Sequence, residues 1–172
     1  FTGNVFSGNS IEVFSIGGGD LGLFTNSLAY NNVIINNNII GTLELGGDIS
    51  ADTMQRAEFN TISISNNTIS DLGLYTLDFD KLIVSNNIFE TSCKFNLIAQ
   101  ATGLIFSNNI LDDEINVDII CSSGVSVLPG PVGATYSDFS LTGNRLRAFR
   151  FLEGVETLKA FQRIMISDNL LF

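Results

Sequence analysis

The chain has 172 residues, 45% of them apolar and only 15% charged, with a net charge of −10 and an estimated pI of 4.1. That balance argues against nucleic acid, whose binding depends on Lys and Arg neutralising phosphate, and disfavours contact with anionic membrane surfaces. No apolar run approaches the ~18 residues of a membrane-spanning helix, and with no His and two Cys neither a metal nor a cofactor is expected.

Along the chain, seven eight-residue segments overlay without a gap: 4–11 (NVFSGNSI), 33–40 (VIINNNII), 62–69 (ISISNNTI), 82–89 (LIVSNNIF), 104–111 (LIFSNNIL), 139–146 (FSLTGNRL) and 164–171 (IMISDNLL). Each has Asn at its sixth position: Asn9, Asn38, Asn67, Asn87, Asn109, Asn144 and Asn169. The spacings are 29, 29, 20, 22, 35 and 25 residues. A period in this range with one invariant turn marks a stacked solenoid. Positions one and three are nearly always large and apolar, as in Ile62 and Ile64, and alternate as strand residues do. Position five is Gly8, Asn37, Asn66, Asn86, Asn108, Gly143 or Asp168, the residue types that enter the left-handed region at least cost. A sharp corner is expected there, with the next Asn pointing inward. Stacked about 4.8 Å apart, the seven inward amides would bond to one another.

Between the repeats each coil has an apolar stretch for a further strand, at 43–45, 74–77, 95–98, 117–120 and 149–152. Alternation in these strands predicts one solvent-facing column of Glu44, Tyr75, Asn96, Asp118 and Arg150. Helical periodicity is weak everywhere, 156–163 being the best candidate, and 122–138 with its two prolines is expected to be a loop insertion. Cys93 and Cys121 are expected as inward-facing free thiols at opposite ends of neighbouring strands. The chain opens inside one repeat and stops one residue after the last, so 1–172 is expected to be one domain within a longer protein.

These repeats resemble the right-handed parallel β-helix of the pectin-lyase-like superfamily, with its short turn and internal asparagine ladder, and most resemble the β-helix of a phage tailspike or fibre. The resemblance implies an all-β solenoid of about seven coils, an extracellular or virion-surface setting and a carbohydrate site on the face of Glu44, Tyr75, Asn96, Asp118 and Arg150. Mixed polar groups with an aromatic ring suit sugar hydroxyls and a pyranose face. Five of the eight basic residues, Arg145, Arg147, Arg150, Lys159 and Arg163, form a local basic stretch suited to an acidic sugar or to a neighbouring domain.

Catalysis has weaker support. A glycosidase needs two carboxyl groups roughly 5–9.5 Å apart. Glu44 and Asp118 stand three coils apart, about 14 Å by strand spacing. Asp113, in the run 112–114, and Asp118 are the candidates for acid and base, so a polysaccharide hydrolase or lyase is the alternative reading. The Arg- and His-containing motifs of the superfamily's lyases and polygalacturonases are not found. The Asn66-Asn67-Thr68 sequon is expected to be incidental, since Asn66 occupies the turn.

Outward positions two and seven are mostly apolar and include Ile34, Ile83, Ile105 and Met165 in one column and Ile39, Ile88, Ile110 and Leu170 in the other. A continuous apolar stripe usually marks an interface. It is expected to hold a homo-oligomer, a trimer by the tailspike resemblance. The reading that follows is a structural segment of a viral tailspike or fibre, or of a bacterial adhesin, that contacts cell-surface polysaccharide.

Overall fold

The structure, a computed structural model, describes residues 2–16, 28–46, 57–112, 114–121, 136–153 and 161–172. In it the chain is all-β, and its strands pair in parallel into stacked sheets, an arrangement compatible with a β-solenoid. The strands are β1 (Thr2–Ser7), β2 (Ser10–Ile16), β3 (Leu28–Asn36), β4 (Ile39–Gly46), β5 (Ala57–Ser65), β6 (Thr68–Ser85), β7 (Ile88–Thr102), β8 (Leu104–Ser107), β9 (Ile110–Leu111), β10 (Asn116–Cys121), β11 (Tyr136–Thr142), β12 (Arg145–Leu146), β13 (Ala148–Glu153), β14 (Phe161–Ser167) and β15 (Leu170–Leu171).

Two piles of strands meet along the corner. On one side run β1, β3, β5, the second half of β6, β8, β11 and β14. On the other run β2, β4, the first half of β6, β7, β10 and β13. The shortest interval, between Asn67 and Asn87, is one strand from Thr68 to Ser85 that serves both piles. The longer intervals carry their extra residues at 17–27, 47–56, 122–135 and 154–160, outside the described residues.

Alternation decides what is buried. Positions one, three and eight of the interior repeats, such as Val33, Ile35 and Ile40 or Leu82, Val84 and Phe89, are at most 1% exposed. The second pile adds Leu43, Leu45, Leu72, Leu74, Cys93, Phe95, Val117 and Ile119. Each large side chain removed from water in this way contributes about 1.5–3 kcal/mol. Phe106 sits at the middle of an aromatic cluster, its ring centroid 6.1 Å from Phe89, 5.8 Å from Phe95 and 6.1 Å from Phe149.

All seven corner residues have the left-handed backbone that their types favour, with φ from 55° at Asn37 to 72° at Gly8. Immediately after each corner the asparagine turns inward and bonds along the stack. The Asn38 backbone N–H and side-chain amide both donate to Oδ1 of Asn67, at 2.9 and 3.0 Å. The same pair of bonds joins Asn9 to Asn38, Asn67 to Asn87, Asn87 to Asn109, Asn109 to Asn144 and Asn144 to Asn169. The second amide proton goes to a position-three carbonyl of the preceding repeat, for example from Asn87 to Ile64. Buried amides left unpaired would cost about 1–3 kcal/mol each; here the interior ones are used on both ends.

Four expectations change. The stretch 156–163 is not helical where it is described, because Phe161 opens β14. The insertion expected at 122–138 ends earlier, since Tyr136 begins β11, and the rest of it lies outside the described residues. A second left-handed column, one residue before five of the seven repeats, is not anticipated by residue type: Gly3, Asn32, Gly103, Asp138 and Arg163. Arg163 is accommodated there with its guanidinium donating to Asp138 at 2.6 Å. The fourth change, in the outward column, concerns the site.

Candidate functional site

The outward face of the second pile is polar because its inward neighbours are taken by the core. Its register differs from the sequence expectation. Glu44 pairs with Gly73, Gly73 with Lys94, Lys94 with Asp118 and Asp118 with Arg150. Tyr75 and Asn96 pair with each other in the next outward column, two residues along. The five residues therefore do not form one column: Glu44, Asp118 and Arg150 stay together, and Lys94 and Gly73 take the places given to Asn96 and Tyr75. Tyr75 is displaced because it stands eight residues after Asn67 while Glu44 stands six after Asn38, across a β4–β6 ladder that runs without a shift. A shift in the β6–β7 ladder between Ile69 and Asp71, where one extra residue enters β7, then brings Lys94 into register with Gly73. The side chains of Tyr75 and Asn96 lie outside the described set.

Asp118 is not open to solvent as alternation suggests. It is 9% exposed and is covered by Arg150, whose Nε and Nη2 donate to its two oxygens at 2.5 and 2.6 Å. This two-pronged geometry is the strong form of an ion pair. Hydrogen bonding to Asp118 raises the Arg150 pKa above its ordinary value. Behind the pair lies Cys93, buried and free, whose thiol is pushed well above its usual range by burial first and by the Asp118 charge second. Cys121 stands in register with Leu97 and Cys93 with Val117, four residues along the strand, or about 13 Å. That offset keeps the two backbones beyond disulfide reach.

In the column beside these residues, Ser92 donates to Asp71 at 2.9 Å, and Ser70 donates to Glu90 at 2.6 Å. Asp113 lies outside the described residues, so its approach to Asp118 has no geometry to report. No group of three His, Cys, Asp or Glu side chains among the described residues is placed to hold a metal. Of the basic stretch, Arg150 and Arg163 are paired with Asp118 and Asp138, Arg145 lies over the Phe172 ring at 4.6 Å, and Lys159 is outside the described residues.

The two apolar columns are in register as expected. Ile34, Ile83, Ile105 and Met165 share one, and Ile39, Ile88, Ile110 and Leu170 the other. They do not merge into one stripe. A half-buried file with Ser65, Ser85 and Ser107 and the exposed corner residues run between them. The second column is the more open, with Ile39 63%, Ile88 46%, Ile110 50% and Leu170 58% exposed, whereas Ile34, Ile83 and Ile105 are half-buried.

Comparison with protein-family models, with curated proteins and with solved structures finds no match to this chain. The functional reading therefore rests on the residues alone.

Proposed function

We propose that the chain is a right-handed parallel β-helix of seven coils, pinned by an internal asparagine ladder, and that it acts as a structural, glycan-binding segment of a viral tailspike or fibre or of a bacterial surface adhesin. The right hand follows from the general chirality of parallel crossover connections. The observation that carries the binding reading is the outward file of Glu44, Lys94, Asp118 and Arg150 on a rigid stack of strands. Groups of both signs held at regular intervals on strands, not on loops, suit a ligand rich in hydroxyl groups. Glu44 and Lys94 offer an acceptor and donors on either side of Gly73. Arg150 and Asp118 fix each other and form one wall. Tyr75 and Asn96, one column over, are proposed to extend the same surface. The most exposed apolar column, from Ile39 to Leu170, is proposed as the contact between copies in a trimer displayed outside the cell or on a virion.

The hydrolase or lyase reading has less behind it. Asp118, its described acid or base candidate, has both oxygens occupied by Arg150. A glycan array, read with the intact protein beside light scattering, tests the proposal. Retention of particular polysaccharides by a trimer, without release of oligosaccharides, is the expected outcome. Release of product that stops in Asp118→Asn would overturn the reading in favour of an enzyme.

A further inference from the structure

We draw no further inference here: the strongest candidate, the apolar end surface of β14 and β15 where Ile164, Ile166 and Leu171 stand exposed at positions that the interior coils bury, carries nothing because nothing in the structure shows what covers it.

Discussion

The two halves of each coil are built under different constraints. At the corner, every repeat uses the same solution: a left-handed residue, then an inward asparagine whose amide is bonded on both sides in the interior copies. Across the second pile only alternation is kept, and the outward residues change from Glu44 to Gly73 to Lys94 to Asp118 to Arg150. A buried backbone or amide group must find a partner, and few residue types can supply one in a tight turn. An outward strand position needs only to tolerate water. Strict repetition therefore reports buried hydrogen bonding, and variation reports freedom that can be spent on a ligand.

The comparison can be broken most directly in the core shared by both halves. Phe106→Ala removes the ring that touches Phe89, Phe95 and Phe149, and a loss of about 3–5 kcal/mol is expected in denaturant titration. Next comes the corner. Asn87→Ala takes away the acceptor of two Asn67 donors and the donor to Ile64, for an expected loss of about 2–4 kcal/mol. A still smaller effect depends on pH. The Cys93 thiol is neutral when folded and its pKa is raised, so the folded state holds its proton more tightly than the unfolded chain does. Its contribution is fully present below the unfolded thiol pKa of about 8.5 and is lost as pH rises beyond that value. The loss follows a slope of about 1.4 kcal/mol per pH unit. Subtracting the stability curve of Cys93→Ala from that of the wild type isolates this slope, and a flat difference would show the thiol to be solvated.

Arg150→Met should lower the melting temperature by leaving the largely buried Asp118 carboxylate without its partner, and Asp118→Asn with Arg150→Met should recover part of the loss. Asn86→Gly should change stability by no more than about 0.5 kcal/mol, since glycine suits the φ of 57° at that corner.

Much of the first half of each coil was legible in the sequence, because few residue types satisfy a left-handed corner or an inward amide. The apolar columns, the inward positions and the run of seven asparagines follow from spacing alone. The second pile was legible only as alternation. From the inward asparagine to the outward charged file the chain takes six residues at Glu44, seven at Lys94 and nine at Asp118. The extra residues are absorbed by the β6–β7 irregularity and by the turn in which Ile115 N–H donates to the Asp112 carbonyl. Neither has a distinctive residue pattern, so Lys94 was missed; Tyr75 was assigned to the file of Glu44 although it stands eight residues after Asn67 and Glu44 only six after Asn38, with no shift between β4 and β6. The second left-handed column was hidden for a similar reason. Thr61 and Lys81 occupy it without a positive φ while Arg163 adopts one, so composition gives no consistent signal.

The most direct test of the account is a pair of thermal melts on neighbouring single variants, Asn86→Gly and Asn87→Ala. If Asn86 is the outward corner and Asn87 the inward link, the first should melt within a degree or two of the wild type and the second far below it. The reverse order would put the amide chain one residue out of register and contradict the assignment of every inward and outward position.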